Sequence, residues 1–210
     1  GIPVDKADDS GGRLRITATA LAQGYACPLR TYHHVHHREL RRAPEPFRRQ
    51  IMERGREMEA EVVAPFQPAE VKADPADPRD GAERTLELMT EGVPAIYQPV
   101  FYALDERFEY VAKPDLIVRV PEAGTAGGGA PGDIPPNPLS AAAPAPPRAG
   151  QAGVHAYAII EIKHSRDATP EHIVQLVFSA WLLNLAQGVE VPAHRLLLAG
   201  SGATETFQLA

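Results

Sequence analysis

The residues equipped for chemistry fall into two short groups. Lys113-Pro114-Asp115 is answered far along the chain by Glu161-Ile162-Lys163. Each group sits in an apolar run, residues 107–120 and 154–163, enriched in β-branched and aromatic residues as strands are. Alternation along the second run puts Tyr157, Ile159, Glu161 and Lys163 on one side and Ala158, Ile160 and Ile162 on the other. A strand apolar on both faces belongs inside a covered sheet, and a buried carboxylate there is costly unless positive charge compensates it. Lys163 can compensate, and a divalent cation would do so better. Two carboxylates are hard oxygen ligands suited to Mg²⁺, which polarises a phosphodiester and acidifies a water, while a lysine stabilises the developing charge or orients the water. The plainer alternative is a surface ion pair at a strand terminus.

Three further positions are candidates. Glu59 lies four residues after Gly55, on the border of an apolar helical stripe, where a carboxylate can point into a site; Gly55 itself reads as a mark of close packing. His172, Gln175 and Ser179 make a narrow polar stripe on an otherwise apolar helix. Gln175 aimed at the site could bind a phosphate or fix a water, against the alternative of an amide satisfied by nearby backbone. His33 and His37 share a helical face, but no third ligand is spaced nearby, so a metal pair is not expected there.

The elements that must position these residues can be read in order. Thr17 caps a helix over 18–23, and Pro28 opens a second over 29–38. A long helix over 46–63 carries Phe47, Ile51, Met58 and Val62 as its apolar stripe. Residues 65–81 read as a loop and 82–91 as a short helix ended by Gly92. A strand over 94–104 turns at Asp105-Glu106 into a second over 107–120, with Pro99 and Pro114 marking edges or bulges. Residues 121–153 are a low-complexity Ala/Gly/Pro insertion expected to be disordered. After the third strand, Thr169-Pro170-Glu171 starts a helix that Gly188 ends, apolar nearly all round and so expected to be buried. Strands over 195–199 and 205–209 follow. The chain thus reads as one α/β domain over 15–210 behind a disordered lead-in, 1–14, and the end of the sequence within an apparent strand suggests a piece of a larger protein.

Composition narrows the class. In 210 residues there is no apolar run long enough to span a membrane. No signal-peptide pattern opens the chain. Cys27 is the single cysteine, which leaves no disulfide framework and fits a cytoplasmic protein with Cys27 as a small buried apolar residue. The net charge of −6 argues mildly against nucleic acid. Its distribution argues the other way: Arg30, Arg38, Arg41, Arg42, Arg48, Arg49, Arg54 and Arg56 crowd one segment and could follow a phosphate backbone, though a solvated helical face would look the same.

Taken together, Pro114-Asp115 followed by Glu161-x-Lys163 on neighbouring strands resembles the PD-(D/E)xK nuclease superfamily. More narrowly the chain is similar to the RecB-like nucleases related to the CRISPR-associated exonucleases, on the strength of Gly55-Arg56-Glu57-Met58-Glu59, Tyr97-Gln98, Gln175 and Gly200-Ser201-Gly202. The resemblance implies a restriction-endonuclease-like core, a mixed central sheet flanked by helices in the order αβββαβ, with an N-terminal helical region. It implies Mg²⁺- or Mn²⁺-dependent hydrolysis of DNA, single-stranded or at a duplex end, as part of a repair or processing protein, with a fused or associated helicase or further nuclease domain as partner. Asp115 and Glu161 would be metal ligands with Glu59 as a third, Lys163 catalytic, and Gln175 an accessory catalytic contact. Glu59 stands where the family commonly has His, and Ser179 where it has Tyr. The further cysteines of the family's iron–sulfur site are missing, so no cluster is expected. The competing reading is a catalytically silent nucleic-acid-binding or scaffold module with the same fold.

Overall fold

The computed structural model describes residues 5–6, 13–37, 46–74, 76–120, 155–191 and 193–208. The insertion at 121–153, most of the lead-in, and Arg38, Arg41 and Arg42 of the basic segment lie outside the described residues.

In chain order the elements are β1 (Asp5–Lys6), β2 (Leu14–Thr17), α1 (Ala18–Ala26), α2 (Pro28–His36), α3 (Pro46–Val63), a 3₁₀ turn (Ala64–Phe66), β3 (Ala69–Glu70), α4 (Pro78–Thr90), β4 (Ala95–Tyr97), β5 (Phe101–Leu104), β6 (Phe108–Ala112), β7 (Leu116–Arg119), β8 (Tyr157–Lys163), α5 (Pro170–Gln187), β9 (Ala193–Leu198) and β10 (Ala203–Gln208). The fold is mixed α/β. The described strands form a sheet in the order β1-β2-β6-β5 and a larger one in the order β10-β9-β8-β7-β4-β3, both with parallel and antiparallel pairs. No helix among the described residues is long and apolar enough to cross a membrane.

The two runs expected to be single strands are each cut in half. β4 belongs to the larger sheet and β5 to the smaller; β6 belongs to the smaller and β7 to the larger. The cuts fall at Gln98-Pro99-Val100 and Lys113-Pro114-Asp115. Proline offers no ladder donor and constrains the residue before it, and at both points the chain leaves one sheet and enters the other instead of merely bulging. Thr85 of α4 holds the first crossing. Its Oγ1 donates to the Gly81 carbonyl at 2.8 Å and accepts from Val100 N–H at 2.9 Å. Gly81 is the closely packed glycine of this region: a Cβ there would lie 2.5 Å from Ala73 Cβ. Gly55, read from the sequence as close-packed, is not, since a Cβ on it would meet nothing within 4 Å.

α4 begins at Pro78, not at residue 82, because Asp77 caps it by accepting from Arg79 N–H at 3.1 Å. β1 and β2 were not foreseen; Asp5–Lys6, inside the expected disordered lead-in, pairs with Arg15 and Leu14. β2 pairs in parallel with β6, placing Arg15 against Glu109 at 2.6 Å, with the Glu109 side chain only 2% exposed. Cys27 is exposed, not buried, and its Sγ accepts from Arg30 N–H at 3.4 Å at the head of α2.

α5 runs from its Thr169 cap to Gly188 as the sequence indicated. It packs Leu176, Leu182 and Leu183 against Ile159, Ile117 and Leu196 of the larger sheet, each such side chain contributing roughly 1.5–3 kcal/mol by burial. It is not buried all round: Val177, Trp181 and Leu185 form an exposed row. The opposite sheet face carries a smaller cluster of Val63, Ala95, Leu116 and Ile160, so the alternation expected along β8 holds. Only the end of α3 joins this cluster. Its first half is uncovered among the described residues, with Phe47 71% and Ile51 49% exposed, although both belong to the apolar stripe.

Candidate metal centre

Asp115 sits at the second sheet crossing, immediately before β7. The antiparallel register of β7 on β8 pairs Leu116 with Ile160 and Ile117 with Ile159, so Asp115 and Glu161 each lie one residue beyond the last pair. Two hydrogen bonds fix Asp115: its carbonyl accepts from Gln98 N–H at 2.8 Å, and its Oδ2 accepts from Ile162 N–H at 2.7 Å. Two residues on, Lys163 reaches back along the same strand face and donates from Nζ to Glu161 Oε1 at 2.7 Å. The structure therefore brings Asp115, Glu161 and Lys163 together at one end of the β7–β8 pair.

Glu59 arrives from α3, and two residues hold it. Tyr97 Oη and Gln98 Nε2 both donate to Glu59 Oε1, at 2.9 and 3.0 Å. Burial, reinforced by the Glu59 carboxylate, pushes the Tyr97 phenol up to about 12, which keeps it a donor. Gln98 carries a φ of +53°, in the left-handed region that non-glycine residues avoid. That turn lets its backbone serve Asp115 while its side chain serves Glu59. The sequence singled out Tyr97-Gln98 as a motif but gave the pair no role; the positive φ had no sequence signal.

The electrostatics are those of crowded carboxylates. Burial first, then the charge of Glu161 and more weakly that of Glu59, raise the Asp115 pKa well above the ordinary carboxylate range, while Lys163 and the Ile162 N–H pull it back. Desolvation works against the Lys163 ammonium, but Glu161 and Asp115 outweigh it, so its pKa is raised. With all groups ionised, Glu59, Asp115 and Glu161 against one lysine leave two negative charges uncompensated. Glu161 Oε2 is buried and has no hydrogen-bond partner among the described residues. Among those residues, no three His, Cys, Asp or Glu side chains surround a single point as they stand; Glu161 Oε1 and Glu59 Oε1 are turned to Lys163, Tyr97 and Gln98. An orphaned buried carboxylate oxygen beside a second, hard-to-ionise carboxylate fits an oxygen-seeking divalent cation.

The other expected residues fall differently. Gln175 is partly buried on α5 and its side chain makes no hydrogen bond among the described residues; the buried amide of this helix is Gln187, which accepts from Tyr157 N–H at 2.9 Å and so caps β8. His172 takes part in the α5 capping box, its Nδ1 accepting from Thr169 N–H at 3.2 Å. Burial and the nearby Lys163 charge lower its pKa, so it stays neutral beside the centre. His33 on α2 and His37 just after it face each other with ring centroids 5.2 Å apart and planes tilted by 37°. Gly200 permits a close turn at the same end of the sheet: a Cβ on it would lie 2.7 Å from the Ser165 carbonyl oxygen.

Beside the carboxylates, between α3 and the ends of β8 and β9, lies a cavity of about 240 Å³ that Glu59 and Ile162 border. No protein-family model matches the chain, and no curated protein matches it.

Proposed function

We propose that the chain is a metal-dependent nuclease of the RecB-like type, built on a restriction-endonuclease-like core. The observation that carries this reading is Glu161 Oε2, a buried carboxylate oxygen without a partner among the described residues, beside Asp115 at the end of the β7–β8 pair. A group so placed is expensive to bury unless something positive joins it.

Asp115 and Glu161 would hold Mg²⁺ or Mn²⁺, with Glu59 as the third carboxylate. When bound, the ion would supply Lewis acidity at a phosphoryl oxygen and lower the pKa of a water. The chain's own residues do the rest. Ile162 N–H fixes Asp115 in place, and Tyr97 and Gln98 fix Glu59. Lys163, held on Glu161, would supply positive charge where the phosphoryl oxygens gain negative charge under attack by water. In the overall reaction water adds to phosphorus, one P–O ester bond breaks, and the leaving alcohol takes a proton. Neutral His172 lies within electrostatic reach of Lys163. Gln175 stays a proposed accessory contact. Arg49 and Arg54, both exposed on α3, would meet the phosphate backbone.

The test is cleavage of end-labelled linear, circular and single-stranded DNA with Mg²⁺ or Mn²⁺. Asp115→Ala and Lys163→Ala should abolish cleavage while leaving the thermal unfolding transition cooperative. Cleavage that survives Lys163→Ala would overturn the assignment.

A further inference from the structure

Gly55 is a mid-helix glycine without a packing reason. It costs α3 about 1 kcal/mol relative to alanine, and a Cβ on it would meet nothing within 4 Å. What it borders is the cavity of about 240 Å³ beside the carboxylates. Met52, Met58 and Ile162 give that cavity apolar walls, and Arg56 and His164 add polar groups. Glu59, the candidate third ligand, lines the cavity itself, and Ile162 is the residue whose N–H holds Asp115, so the cavity adjoins the candidate centre. Sites for drug-sized ligands run to about 300–1,000 Å³; this one is the size of a single ring system. Methionine sulfur packs well on aromatic rings, and an arginine can stack on a base or hydrogen-bond its edge. The exposed Arg49 and Arg54 on the same helix would follow the attached backbone.

We propose that this cavity seats one unpaired nucleobase next to the scissile phosphodiester, with Gly55 kept small to leave it room. The inference rests on the nuclease reading and sharpens it: the enzyme cuts beside an unstacked nucleotide and rejects a base held in an intact duplex. Taking a base out of a duplex costs a few kcal/mol, and least where the strand is already single.

The test uses the full chain, Mn²⁺ and end-labelled single-stranded oligonucleotides whose cut positions are mapped. A tetrahydrofuran abasic residue is then placed at each position in turn. Cleavage at the bond beside it should fall about tenfold or more relative to the intact strand, the usual scale for losing one base contact. Gly55→Leu should lower cleavage of the intact strand to the abasic level and add no further loss on the abasic strand. Leucine is a good helix former at an open position, and the abasic comparison on the unmodified protein needs no variant. Equal cleavage of intact and abasic strands, or a Gly55→Leu loss as large on the abasic strand as on the intact one, would overturn the pocket and leave the nuclease reading standing. If no oligonucleotide is cut, the nuclease reading falls and the pocket with it.

Discussion

Gln98 offers the sharpest test of how the candidate centre is assembled, because its backbone and its side chain are asked to do different things. At φ +53° a non-glycine residue costs about 1–2 kcal/mol. Gln98→Gly removes that strain but adds about 0.5–1 kcal/mol of unfolded-state entropy, and it deletes the 3.0 Å bond to Glu59. Glu59 is only partly buried and keeps Tyr97, so that bond contributes about 1 kcal/mol. The terms nearly cancel, and the glycine variant should unfold within about 1 kcal/mol of the parent in urea. Gln98→Ala loses the same bond yet retains the strain, so it should be less stable than the glycine variant by about 1 kcal/mol. Both should bind Mn²⁺ some tenfold to a hundredfold more weakly, the usual effect of losing a group that orients a ligand. Urea melts without metal and calorimetric titration with Mn²⁺ give the two numbers separately. An alanine variant as stable as the glycine variant would refute the strain argument. Unchanged Mn²⁺ affinity in both would refute the role of Gln98 at the centre.

Two predictions concern stability away from the centre. Arg15→Ala leaves Glu109 buried and charged. A fully buried pair broken this way loses about 3–5 kcal/mol; with Arg15 itself 23% exposed, a loss of about 2–3 kcal/mol is expected in urea melts, and an Arg15→Leu, Glu109→Leu double variant should recover most of it. His194 is fully buried on β9, its Nδ1 accepting from Ile159 N–H at 3.2 Å, and burial pushes its pKa down to about 4. The unfolded chain therefore takes up a proton, as pH falls below the ordinary histidine range near 6.5, that the folded chain refuses. Its contribution is complete above pH 6.5 and is lost as pH falls from there towards 4, amounting to about 3 kcal/mol. A His194→Phe variant should show a flatter fall of melting temperature across that window; an unchanged slope would contradict the assignment.

Local signals carried much of the fold. Thr169-Pro170 and Gly188 bound α5 because caps and stops act within a few residues of where they stand. The same chemistry at Asp77-Pro78 was present but lay inside a stretch rich in Pro, Ala and Asp, where it read as loop. What the sequence could not carry was non-local. Pro99 and Pro114 announce a break, but whether a strand bulges or crosses to another sheet depends on partners far along the chain, β2 for one half and β8 for the other. Periodicity put Phe47 and Ile51 on one face with Met58 and Val62, yet nothing in a repeat says where the covering surface ends. For the candidate centre, the residue types at Asp115, Glu161 and Lys163 were legible, since charges at the end of an apolar strand stand out. The buried amide is Gln187 and not Gln175; both lie on one apolar helix, and only the packing separates them.

The central claim is that Asp115 and Glu161 form a place for one divalent cation. Calorimetric titration of the metal-free protein with Mn²⁺ addresses it most directly, run in parallel on Asp115→Ala and with folding of both checked by thermal melting. One Mn²⁺ bound per chain by the parent and none by the folded variant is the expected result; no binding by the parent, or equal binding by both, would contradict it.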